Sequence, residues 1–340
     1  MRVLLFHEHT TPPGQGGGGM EAILRDHAAS LRQLGHDVSW LQSAEIERAV
    51  TEYRPDVVNV MTIHNAFGVE PVKWLQEQRI PHVWTMADYW PFCSGRNLLK
   101  DFVKAEPCSA VSGVCDSRCS FQPSPLRNVV NGSPTVNLCE YAATIMRRNG
   151  VRTNFVAEPG IDTALFRPGE KVKGSISASC AWGMHPVKGW PVLQEAMKGM
   201  RLDVNLITGL PREQVAEALQ KADIYVFPSI YEETFGLCLC EAMASGCACI
   251  ASDVAGARAQ IEDGITGLLV PPRDPEALRQ AILRLLADDE LRRTLGRNAA
   301  EHVAAEHTLE KMGERWLAVY QEVCNGRQSD PVRRSMVKAG

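Results

Sequence analysis

Nowhere in the 340 residues is there an apolar run long enough to cross a membrane. The first apolar stretch, Val3 to Phe6, is too short for a signal-peptide core and runs straight into His, Glu and Pro residues. A cytoplasmic protein without a membrane span is therefore expected, with room left for peripheral membrane contact. Nor does one sign of charge dominate. The chain has 36 Lys and Arg against 40 Asp and Glu, and a net charge of −4 argues against a general nucleic-acid binder. The 11 cysteines do not read as a secreted disulfide framework. Cys238, Cys240, Cys247 and Cys249 sit in apolar contexts, where thiols act as small hydrophobes. Cys93, Cys108, Cys115 and Cys119 fall in an irregular region and lack the C-x2-C pairs that mark a zinc site, so no metal is expected there.

What is present is the composition of a globular protein. Apolar residues make up 45% and charged residues 22%, and the length suits two domains, each with its own core. A β-type run at 2–6 is followed by the loop HTTPPGQGGGGM and by helical spacing over 20–34. Strand, glycine loop and helix start together suit an anion or a sugar, and on these residues alone a flexible linker is an equal reading. Further strands are expected at 37–41, 56–60, 82–85 and 135–138, with helical segments between them. That alternation predicts a parallel sheet covered on both faces. His64 follows one of these strands, at the carboxyl edge where open α/β sheets bind ligands. Asp88 follows another.

The chain is organised around residues 222–253, ADIYVFPSIYEETFGLCLCEAMASGCACIASD. The pattern reads as strand, loop, helix, strand, with Thr234 as N-cap and Gly246 ending the helix. Glu233 precedes the helix and Glu241 follows eight positions later, a span of roughly 12 Å if all eight are helical. In this reading Glu241 would hold a ribose diol. Glu233 and the backbone of Phe235, Gly236 and Leu237 would meet a sugar, and the first free amides would favour an anion.

The segment resembles the E-x7-E signature of the retaining glycosyltransferases of family 4, including its E-x-FG-x4-EAMA-x-G pattern. Other stretches share the likeness: Gly18-Gly19-Met20-Glu21 with Gly35-His36-Asp37-Val38, the run VWTMADYWPFCSG, the run PGIDTALFRP, and Lys188-Gly189. The resemblance implies an α/β protein of two Rossmann-like domains facing a cleft, the B-type fold. It places an acceptor-side domain at 1–170, a nucleotide-sugar domain at 171–325 whose last helix crosses back, and a frayed polar tail at 326–340. It implies a nucleoside diphosphate sugar as donor, a hydroxyl-bearing acceptor, retained anomeric configuration, and neither cofactor nor metal. Lys188 and Glu233 would be catalytic. Lys188 would meet the pyrophosphate, and Gly18, Gly19, Glu233, Thr234, Phe235, Gly236, Leu237 and Glu241 would line the donor, with His64 and Asp88 toward acceptor or sugar.

Three positions depart from the family pattern. Ala87 stands where histidine is usual, Gly183 where arginine is usual, and Ala259 where glutamate is usual. These departures keep two other readings in play. One is a non-catalytic relative that binds a nucleotide sugar or a partner enzyme. The other is a sugar-nucleotide epimerase of the same architecture.

Overall fold

The computed structural model describes residues 1–7, 19–43, 45–61, 67–91, 99–101, 106–107, 127–179 and 186–328. In chain order the first half holds β1 (Arg2–Phe6), α1 (Gly19–Gln33), β2 (Asp37–Leu41), α2 (Ile46–Tyr53), β3 (Val57–Val60), α3 (Glu70–Glu77) and β4 (His82–Met86). The short β5 (Leu99–Asp101) and β6 (Glu106–Pro107) follow, then α4 (Arg127–Asn131), β7 (Thr135–Asn137), α5 (Glu140–Arg148) and β8 (Phe155–Val156). The second half begins with β9 (Val172–Ser179), a 3-10 turn at Pro186–Lys188, α6 (Trp190–Ala196), β10 (Val204–Ile207) and α7 (Arg212–Lys221). Next come β11 (Ala222–Phe227), α8 (Leu237–Ala244), β12 (Ala248–Ser252), α9 (Ala255–Arg258) and β13 (Leu268–Val270). Three helices close the chain: α10 (Pro275–Ala287), α11 (Asp289–Glu306) and α12 (Leu309–Gln328).

Eleven of the strands form two separate parallel sheets, ordered β2-β1-β3-β4-β7-β8 and β10-β9-β11-β12-β13, and β5 and β6 pair as a small antiparallel ribbon. Strands covered on both faces read as unbroken apolar runs, and this chain obeys the rule. Val3–Phe6 of β1 and every residue of β11 and β12 are buried. The expected two-sheet α/β architecture is therefore found. In each sheet the strand order reverses beside the first strand, between β1 and β3 and between β9 and β11. Ligand crevices of open α/β sheets open at such switch points, beyond the carboxyl ends of the strands.

The last helix belongs to both halves. α12 follows the second sheet's helices in sequence, yet it packs on α1, β3 and β4. Trp316 and Tyr320 are fully buried there, and each contributes on the order of 2–3 kcal/mol by burial. A buried polar network fixes the crossing. Asn59 Nδ2 donates to Tyr320 Oη at 2.8 Å, Thr85 Oγ1 donates to Asn59 Oδ1 at 2.7 Å, and Tyr320 Oη lies 3.0 Å from His27 Nε2. Gly313 suits the close approach of the two helices, since a Cβ there would press on the Ser30 carbonyl oxygen of α1 at 3.1 Å. Where the chain passes between halves, Ile161 N donates to His307 O at 2.9 Å.

One boundary differs from the sequence reading. Residues 326–328 were expected in a frayed tail, but α12 continues through Gln328. The helix already anchored on α1 carries its backbone hydrogen bonds a further turn, and a polar composition does not stop it.

Candidate active site

Two loops meet at the second sheet's switch point. After β9 the chain makes its 3-10 turn, and Gly189 then turns into α6 with φ at 78°. Only glycine fits here, because a Cβ would fall 1.7 Å from Pro228 O of the loop after β11. The loops are stitched together by Ile230 N donating to Val187 O at 2.9 Å.

That contact sets Lys188 against Glu233. Lys188 Nζ donates to Glu233 Oε1 at 2.7 Å and to Tyr231 Oη at 3.0 Å, and it lies 4.8 Å from the Tyr231 ring centre. Tyr231 Oη in turn donates to Glu233 Oε2, and Ser229 Oγ donates to Glu233 Oε1 at 3.1 Å. Lys188 is 14% exposed and Glu233 8%. Burial works against the Lys188 charge, but the Glu233 carboxylate and Tyr231 more than offset it and hold the ammonium above its ordinary value. Burial, reinforced by Glu233, raises the Tyr231 hydroxyl.

The helix start is not capped by Thr234, contrary to the sequence reading. The N-cap is Gly236, with φ at 91° and no side-chain cap, and Thr234 Oγ1 instead donates to Ala87 O at 2.7 Å, beyond β4 of the other sheet. The helix begins only at Leu237, so Thr234 lies two residues short of the N-cap position and cannot close the first turn. For the same reason the 12 Å spacing does not apply, since Glu233 to Gly236 lie outside the helix. The Phe235–Gly236 backbone is clamped. Gln260 Nε2 donates to Phe235 O at 2.6 Å, and a Cβ on Gly256 would meet that same oxygen at 2.2 Å. Leu237 and Cys238, the first two helical residues, present amides without intrahelical acceptors.

Glu241 lies one turn into α8 and is partly buried, and burial pushes its carboxyl up to about 7. The charges of Arg212 and Arg25 lower it and that of Asp26 raises it further. Asp88 follows β4, where its Oδ1 accepts from Trp90 N at 3.0 Å. Gly19 begins α1. Gly18, His64, Gly183 and the cysteines at 93, 108, 115 and 119 lie outside the described residues. Among the described residues, no group of His, Cys, Asp and Glu is gathered as a metal site. Cys240, Cys247 and Cys249 are buried free thiols.

Sequence reasoning did not single out Tyr231 and Ser229 as partners of the ion pair. It also missed Glu232, whose Oε2 accepts from Ala255 N at 2.6 Å and so ties the loop to α9. The doubled acid Glu232-Glu233 was the available signal. Nothing local distinguishes which of the two turns toward lysine.

A sequence model of the family described as Glycosyl transferases group 1 matches residues 192–302. A D-inositol 3-phosphate glycosyltransferase of Segniliparus rotundus is 24% identical, over 98% of this chain and 91% of that protein. An alpha-D-kanosaminyltransferase of Streptomyces kanamyceticus is 36% identical over 37% of this chain, which spans about a third (32%) of that relative. Among solved structures, the sucrose-phosphate synthase of Thermosynechococcus elongatus superposes with a TM-score of 0.72 at 17% identity, covering 96% of this chain and all (100%) of that one. HepE of Anabaena, in complex with UDP and glucose, gives 0.67 at 16% identity over 94% of this chain and 99% of its own. Family sequence over residues 192–302, end-to-end similarity to a glycosyltransferase and the shared two-sheet architecture together support a group 1 glycosyltransferase of the B-type fold.

Proposed function

We propose that the protein moves a sugar from a nucleoside diphosphate sugar to an acceptor hydroxyl, with retained anomeric configuration, without a bound metal, and in the cytoplasm. Residues 1–170 would serve the acceptor and 171–325 the donor. The observation that carries the reading is the buried Lys188–Glu233 pair beside the start of α8, with Glu241 one turn farther on. The Leu237 and Cys238 amides and the Lys188 ammonium supply positive charge for a diphosphate, and in a water-poor site such charges act strongly on a leaving group. Glu241 would accept from the ribose hydroxyls and Glu233 from the sugar, while Gly18, Gly19, His64 and Asp88 would approach from the first half. The leaving diphosphate would take the acceptor's proton on the face it departs from, so the enzyme's work is positioning and charge neutralisation. HepE has been solved with UDP and with UDP-glucose, which supports a nucleotide-sugar donor.

The test is a panel of nucleoside diphosphate sugars assayed for binding, then for transfer and hydrolysis, with and without a chelator. Binding followed by metal-independent transfer with retention supports the reading. Ala87 keeps a second reading alive, since its methyl packs on the core and its carbonyl is held by Thr234, leaving no imidazole for the sugar. Binding without turnover on any acceptor would favour that non-catalytic reading.

A further inference from the structure

The two halves are tied at one point that the proposed chemistry does not use. Arg212, the first residue of α7, sends Nη1 and Nη2 to Oδ1 and Oδ2 of Asp26 on α1, at 2.8 and 2.6 Å. The guanidinium lies 5.3 Å from the centre of the Phe166 ring, in the segment joining the two sheets. Arg25 Nε adds a longer contact to Asp26 Oδ1 at 3.4 Å. Arg212 is 18% exposed and Asp26 4%. A fork-to-fork pair fixes direction as well as distance. Buried this deeply it adds little net stability, because desolvation consumes most of the attraction. Its place in the fold points to another role.

α7 packs against α8, the helix that carries Glu241, and the charges of Arg212, Asp26 and Arg25 all act on that carboxyl. Burial is the largest influence raising the Glu241 carboxyl; Arg212 and Arg25 lower it and Asp26 raises it further. Arg212 Nε is buried with no hydrogen-bond partner, so the guanidinium keeps one donor unused.

We propose that Asp26 and Arg212 form a latch across the cleft that holds α1 against α7 and positions Glu241 for the ribose of the donor. Both are positioning residues, and the inference rests on the donor reading above. The latch serves donor capture rather than bond breaking, so disrupting it raises the donor KM more than it lowers kcat. Its partners carry opposite charges, so they bias Glu241 in opposite directions even though both make the same contact.

The experiment is calorimetric titration with a nucleoside diphosphate sugar, whose diphosphate diester does not itself titrate near neutrality, from about pH 5.5 to 8.5. Wild type is compared with D26N, R212Q and R212K, and KM and kcat are measured alongside. R212Q should weaken binding about tenfold and move its pH midpoint upward, while D26N moves the midpoint downward. R212K keeps the charge but loses the fork, so affinity falls with the midpoint unchanged. It also serves as the folded control should R212Q unfold. Midpoints that stay put or move together in R212Q and D26N, or a loss confined to kcat, overturn the latch alone. Failure of wild type to bind any nucleoside diphosphate sugar overturns the donor reading and the latch together.

Discussion

Removing either partner of the Lys188–Glu233 pair should damage the fold almost as much as removing both. The pair is buried, with Lys188 14% and Glu233 8% exposed, so a lone survivor keeps its charge without its counter-ion. Breaking such a pair costs roughly 3–5 kcal/mol. Tyr231 and Ser229 stay beside a surviving Glu233, so the lower end applies, about 3 kcal/mol for Lys188→Met. Glu233→Gln should cost about the same, since the amide replaces a charge with a weaker acceptor. The double variant removes both charges, so its loss should stay near 3 kcal/mol rather than about 6, a coupling of roughly 3 kcal/mol. For a cooperative unit of about 150–250 residues, 3 kcal/mol lowers Tm by roughly 6–12 °C. Pairing holds Lys188 above its unfolded value near 10.4, so its contribution is complete below that pH and is lost as pH climbs through the folded value. Thermal and urea unfolding of all four proteins near pH 7.5 therefore reads the full effect. Additive losses, or single variants within about 0.5 kcal/mol of wild type, would refute the claim that these charges depend on each other.

Three further outcomes are expected. Burial pushes Glu241 up to about 7, and its ionised form is the one that accepts ribose hydroxyls. Affinity for a nucleoside diphosphate sugar should therefore fall as pH drops below about 7 and level off above it, and Glu241→Gln should flatten the profile and cost more than roughly tenfold; calorimetry reads both. Burial pushes His27 down to about 3 and His307 down to about 4, so the unfolded chain takes up these protons first as pH falls below about 6.5. Each histidine should remove about 2 kcal/mol of stability between pH 7 and 5, and urea unfolding of His27→Gln should lose about 2 kcal/mol less than wild type over that span. Gly256→Ala should displace the Phe235–Gly236 backbone, because its Cβ would sit 2.2 Å from Phe235 O. Donor affinity falling in a variant that still unfolds cooperatively is the expected sign, and unchanged binding would mean that this backbone does not shape the donor site.

The sequence by itself determined the alternation of elements, because strands covered on both faces must be apolar at nearly every position, as in β1, β11 and β12. It also determined the end of α8 at Gly246, where the chain needs a left-handed residue with φ at 76°. Lys188, Glu233 and Glu241 could be singled out because the strings of residues around them resemble a known family's pattern, and such a resemblance is legible in one dimension. Only the tertiary structure decided what those residues touch. Thr234 has the chemistry of a cap, but the helix starts beyond Gly236, and the Thr234 hydroxyl donates to the Ala87 carbonyl arriving from the other sheet. Glu232 and Glu233 are identical acids, and the approach of α9 to one and of Lys188 to the other separates them. Asp26 and Arg212 stand 186 residues apart, and no local propensity pairs them. Helix and strand preferences act over a few neighbours. Ion pairs and caps across the cleft form only once two sheets have been packed against each other, so the geometry of the site is set by contacts that the order of residues does not display.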